Sequence, residues 1–149
     1  MQQPYQRILL AIDLSNDIPD ALEKSASYAR HNNIQLDILF VLDPTIIVFG
    51  NAQAELSDEN LYHLEKKGSK QLKEIKNKLL AAGSSVYQIH THLRFGDPRI
   101  IIAQEFPAEY RNDLIILGKT QKNHLQRFFT GSVSSYVIKT AHPDVIIMR

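Results

Sequence analysis

Apolar residues along the chain fall into short continuous runs, separated by longer stretches in which they recur every three or four positions. That is the signature of buried strands alternating with amphipathic helices. Ile8 to Ile12 is the first run, closed by Asp13 and the turn-prone Ser15-Asn16-Asp17. Leu22, Ala26 and Ala29 then recur at helical spacing between Ile18 and His31, with Asn16 or Asp17 placed to cap the first turn and Pro19 tolerated within it. Ile34 to Leu42 returns to strand character. Ile34, Leu36, Ile38 and Phe40 share one face and Leu39 and Val41 the other, with Gln35 and Asp37 near the start. Asp43 to Leu56 reads as a long loop carrying the apolar patch Ile46-Ile47-Val48-Phe49, a candidate lid or contact surface.

Ser57 is placed to cap a helix that runs to about Ala82, in which Leu61, Leu64, Gly68, Leu72, Ile75 and Leu79 form one stripe ended by Gly83. Such a stripe also suits a coiled coil, but its position between two strands favours packing on a sheet. Ile89, Thr91, Leu93 and Phe95 alternate with Gln88, His90, His92 and Arg94, which predicts a sheet-edge strand with one wet face. Asp97-Pro98 opens a helix through Ile100, Ile101 and Ala103 that Pro107 should end or kink near Phe106. Leu114 to Leu117 is a further buried strand, and a helix over Ser132–Thr140 and a strand over Val145–Met148 close the series.

Five strands alternating with helices predict a three-layer, doubly wound α/β fold. A five-stranded parallel sheet would carry helices on both faces, because right-handed crossovers place them there. Ligands bind such sheets beyond the carboxyl ends of the strands, where the strand order reverses. Asp13, Val41 to Asp43, Gly96 and the residues from Gly118 onward are expected at that end.

Composition narrows the picture. A chain of 149 residues, 44% hydrophobic and 22% charged, suits a single domain over residues 1–149. Its 17 basic and 16 acidic residues nearly cancel, which weighs against a nucleic-acid or membrane partner. The absence of Cys removes disulfides and thiolate chemistry and fits a reducing compartment. Met1 to Arg7 is polar and the apolar run after it is short, so neither a signal peptide nor a membrane span is expected, and the cytoplasm is the default location.

The segment from Gly118 to Ser134 carries the candidate chemistry. One glycine closes a strand and the pair Gly131-Ser132 opens a helix, where free amides and the positive end of the helix dipole suit an anion and Ser132 and Ser134 add hydroxyls. A strand-end turn followed by an ordinary serine cap explains the same residues equally well. The spacing and element order together resemble the universal stress protein family over essentially the whole chain. Its nucleotide-binding members place glycine, two residues, glycine, nine residues, then glycine followed by serine or threonine. Gly118, position 121, Gly131 and Ser132 fall on that spacing, with Val133 and Ser134 following, and one position departs: the second glycine is Gln121.

The resemblance implies a Rossmann-like fold related to the adenine nucleotide alpha hydrolases, and a homodimer formed through the C-terminal strand. It implies binding of ATP, with Mg2+ entering through the phosphates. Asp13 would lie near the adenosine and Val41 would offer backbone groups to the adenine edge. Gly118, Gly131, Ser132, Val133 and Ser134 would surround the ribose and phosphates, with Gly96, Leu117 and Gln121 completing the candidate set. Lys119, Lys122 and Arg127 are nearby cations outside the family pattern. Members that lack the motif act as interaction modules without nucleotide, which is the alternative function.

Other signals carry less. His90 and His92 share a face but lack a third metal ligand nearby in the sequence, and a wet strand face accounts for them. Lys66, Lys67 and Lys78 are interspersed with Glu65 and Glu74, as on a solvated helix. Neither a Walker loop nor a G-x-G-x-x-G turn is present, and no general base or catalytic carboxylate pair stands out. A stress-response regulatory protein that holds nucleotide without turning it over, or does so slowly, is therefore expected rather than an enzyme.

Overall fold

The computed structural model describes residues 5–13, 20–48, 52–55, 57–118 and 131–148. In chain order these form β1 (Arg7–Ile12), α1 (Asp20–Asn32), β2 (Gln35–Leu42), β3 (Thr45–Val48), β4 (Ala52–Glu55), α2 (Asp58–Ala81) and β5 (Ile89–Phe95). There follow α3 (Pro98–Ile100), a π-helical turn (Ile101–Glu105), α4 (Phe106–Tyr110), β6 (Leu114–Gly118), α5 (Gly131–Thr140) and β7 (Asp144–Met148). Five strands make one parallel sheet in the order β5-β2-β1-β6-β7. The expected α/β architecture is thus the observed one, with β5 at an edge as its alternation predicts.

Strand alternation sends side chains to two separate core layers. Ile8 and Leu10 of β1 with Leu36, Ile38 and Phe40 of β2 meet Leu22, Ala26 and Ala29 of α1 and Leu72, Ile75 and Leu79 of α2. Leu9, Ala11, Leu39, Val41, Ile115 and Leu117 instead meet Ile101, Ile102, Phe106, Val133 and Val137 on the far face. The stripe on α2 is therefore core. Ser57 caps that helix by accepting from the Asn60 amide at 3.2 Å. Gly68 lets it approach the sheet closely, since a Cβ there would lie 3.1 Å from Leu93 and 3.2 Å from Phe40.

Three expectations need correction. The stretch after Asp43 is an antiparallel hairpin, β3 pairing with β4 through Ile47 and Gln53, rather than a long loop. Gly50-Asn51, a dipeptide suited to hairpin turns, lies between the two strands and was the available signal. Phe49 and Gly50 lie outside the described residues, as do Asn16, Asp17 and Pro19.

Pro107 neither ends nor visibly breaks its helix, which runs on to Tyr110. Proline clashes with the carbonyl four residues back, and here the preceding turn widens to π geometry, the Phe106 amide reaching back to the Ile101 carbonyl.

The polar face of β5 is not wet. The His92 side chain is only 13% exposed, its ring centroid 4.9 Å from that of Phe106 and 4.8 Å from that of Tyr110. Its Nε2 donates to Asp37 at 2.8 Å, while His90 pairs with Gln35 at 2.6 Å. Asp37 itself is completely buried, and it also accepts from Arg7 and Asn112. Phe95, expected inside, is 49% exposed.

Candidate functional site

The strand order reverses at β1, which has β2 on one side and β6 on the other. In an open parallel sheet, this is where a crevice forms beyond the carboxyl ends. Asp13 follows β1 directly and is 6% exposed, continuing the alternation of Leu9 and Ala11 towards the layer that also holds Val41 and Leu117. Register extends the picture. Ile12 pairs with Phe40 and Ala11 with Leu117, so the next steps bring Asp13 beside Val41 and Ile12 beside Gly118.

Two turns shape the neighbouring end of the sheet. The Asp43 carboxylate accepts from the Thr45 amide at 2.9 Å, turning the chain from β2 into the hairpin. The Gly96 amide donates to the Leu42 carbonyl at 3.1 Å, locking β5 to β2 where both end. Gly96 has φ of 144°, a conformation for which L side chains are poorly suited, and a Cβ would come within 2.9 Å of Ile101 Cδ1. Asp97 then caps α3 through the Arg99 amide, and the Arg99 guanidinium beside it holds its carboxyl below the usual carboxylate range. Arg99 also lies 5.7 Å from the ring centroid of Tyr136 on α5, tying α3 to the helix after β6. Sequence reading passed over Arg99, although its place two residues after the capping Asp97 was a signal.

α5 begins at Gly131, as the Gly-Ser pair predicts. Ser132 is exposed and Ser134 half-buried, whereas the Val133 side chain is 5% exposed and packs into the far core layer with Val137. Val133 therefore presents backbone rather than side chain to anything bound outside. Leu117 is a core residue in the same layer, and Gly118 ends β6 opposite Met148. The structure thus gathers Asp13, Val41, Leu117 and Gly118 at one end of adjoining strands. Gln121, Lys119, Lys122 and Arg127 lie outside the described residues. A buried carboxylate at a strand end can accept from hydroxyls, and the first amides of a ten-residue helix can accept an anion.

This arrangement has known counterparts. The Universal stress protein family model matches residues 4–149. The chain belongs to the universal stress protein family, a family of stress-response proteins. It is 30% identical over 145 residues to a Staphylococcus epidermidis universal stress protein, covering 97% of this chain and 84% of that one. A Staphylococcus aureus relative is also 30% identical, over 148 residues. Among solved structures this universal stress protein resembles UspA from Lactobacillus plantarum, with a TM-score of 0.70 and 25% identity over 99% of this chain and all of that one. A universal stress protein in complex with cAMP and one from Archaeoglobus fulgidus in complex with dAMP share the fold, with TM-scores of 0.63 and 0.61. They are 22% and 23% identical to this chain, covering 97% and 99% of it and 97% and 100% of their own lengths. Among the described residues no helix is long and apolar enough to cross a membrane, and no group of three metal-ligating side chains gathers.

Proposed function

We propose that this universal stress protein is a one-domain stress-response regulator that binds ATP beyond the carboxyl ends of β1, β2 and β6. The observation that carries the reading is the buried Asp13 carboxylate, placed beside Val41 at the strand-order reversal. Asp13 accepts from the ribose hydroxyls, and Val41 offers backbone groups to the adenine edge. Gly96, Leu117, Gly118 and Gln121 line the approach, while the free amides of Gly131 to Val133 and the hydroxyls of Ser132 and Ser134 take the phosphates. The residues present fit Mg2+, which enters such sites through phosphate oxygens and water and is charge-balanced by a nearby carboxylate. Fold neighbours holding cAMP, dAMP or AMP support the adenine nucleotide. The chain's own part is to bind and orient the nucleotide, and the protein acts as a holder rather than a hydrolase.

A homodimer through β7 accompanies this reading. β7 is an edge strand on which Ile146 is 38% and Ile147 42% exposed, and an apolar edge with free backbone groups favours pairing with a second copy.

Calorimetry with ATP, ADP, AMP and cAMP, each with and without Mg2+, tests the proposal. Wild-type protein should bind, and Gly131→Asp should not, because it sets a carboxylate where the phosphates lie. One observation favours a second reading, a dimeric interaction module without nucleotide: Gln121 stands where the family's second glycine would be. Failure of every adenine nucleotide to bind the wild type would establish that reading, and tighter binding by Gln121→Gly would identify the side chain responsible.

A further inference from the structure

α1 and the C-terminal half of α2 enclose an open groove of about 710 Å³ on the side of the sheet away from α5, and so away from the proposed nucleotide. Its floor is apolar, formed by Leu22, Ala26 and Leu79, and the Tyr28 ring borders it, 38% exposed. Lys24, Arg30 and Lys78 stand around it, against a single carboxylate, Glu23. The chain as a whole carries a net charge of only +1, so this concentration of cations is local.

Arg30 and Lys78 lie in the last turns of their helices, where cations complement the helix dipole. That does not account for Lys24, in the second turn of α1, nor for the apolar hollow between the helices. Among the described residues, the ion pairs are those of Arg7, His63, His92, Arg94 and Arg99, and none involves the three groove cations. Arg30 donates only to the neutral Ser84 hydroxyl at 3.3 Å. His31 is turned to its own helix, 2.7 Å from the Ser27 carbonyl.

We propose that this groove is a second binding site, for a small anionic amphiphile of the medium-chain carboxylate class. A volume of this size is typical of small-molecule sites, which combine an apolar lining with a few placed polar groups. The hydrocarbon chain lies on Leu22, Ala26 and Leu79, and the carboxylate is held by Lys24 and Lys78, whose methylene stems extend the apolar wall. No bond is made or broken.

The test is a titration of ¹⁵N-labelled full-length protein with sodium decanoate below its micellar concentration, followed by NMR. Saturable shifts should concentrate in α1 and the second half of α2. The exposed double variant Lys24→Glu/Lys78→Glu should keep the wild-type circular dichroism spectrum and lose affinity by about tenfold or more. Decyltrimethylammonium should bind more weakly than decanoate, and added salt should weaken decanoate binding. Equal binding of the cationic amphiphile, unchanged affinity in the double variant, or shifts centred on the strand ends would each overturn the proposal. An acidic peptide that displaces decanoate only by binding elsewhere would leave it standing, whereas a groove occupied by peptide but never by decanoate would overturn it.

Discussion

Replacing Asp37 by Asn tests whether the buried carboxylate at the start of β2 holds this end of the protein together. Its Oδ1 accepts from Arg7 Nη2 at 2.8 Å and His92 Nε2 at 2.8 Å. Oδ2 accepts from Arg7 Nε at 2.6 Å and Asn112 Nδ2 at 2.9 Å. An amide has one NH2 in place of one oxygen, so in either orientation two donors meet a donor. Breaking a buried ion pair from one side costs about 3–5 kcal/mol, and the Arg7 side chain, 28% exposed, recovers some hydration. The lower figure applies: a loss of about 3 kcal/mol, or a fall of about 6–12 °C in Tm for a chain of this size. Urea unfolding followed by circular dichroism measures it, the chain having no Trp to report by fluorescence.

The same group predicts a pH dependence. Burial pushes the Asp37 carboxyl up, but hydrogen bonds from Arg7, His92 and Asn112 outweigh it and hold the group far below the ordinary carboxylate range. A carboxyl whose pKa is depressed on folding contributes stability that is complete above its unfolded value, about 3.9, and is lost as pH falls towards the folded value. The gap between wild type and Asp37→Asn should therefore be full at pH 7, begin to close near about pH 5, and keep closing towards about pH 2. A gap below about 1 kcal/mol at neutral pH, or one that stays flat down to about pH 3, would refute the assignment of a buried, ionised Asp37.

Gly96→Ala should cost about 1–3 kcal/mol in urea unfolding, because the backbone there is at φ of 144° and the new Cβ meets Ile101. Ser57→Ala removes the acceptor for the Asn60 amide and should cost about 1 kcal/mol. Asp13→Ala should weaken adenine-nucleotide binding by about tenfold or more in calorimetry, the worth of a hydrogen bond to a charged group. Ile147→Lys places a charge on the exposed edge strand and should yield a monomer in light scattering at micromolar concentration, where the wild type gives a dimer.

How far the sequence discloses this molecule depends on which physical question is put to it. Ile8 to Ile12 and Leu114 to Leu117 declare themselves because a strand covered on both faces must be apolar at every position, and β1 and β6 are the inner strands flanking the reversal. The α2 stripe does so because a helix on a sheet needs one apolar face, with Gly68 where the backbone comes closest. Alternation says which residues share a face, however, and not whether water reaches it. His92 and Asp37 therefore read as surface residues until the aromatic rings of Phe106 and Tyr110, brought over by a proline-widened turn, close the face above them. Their polarity then does not mark exposure. It marks a network whose members, Arg7, Asp37, His92 and Asn112, come from four separate segments. The strand-end residues were easier to find than this network, because topology alone places Asp13 and Gly118 where strands stop. The network, by contrast, depends on side-chain partners distant in sequence, for which a single chain carries no local pattern.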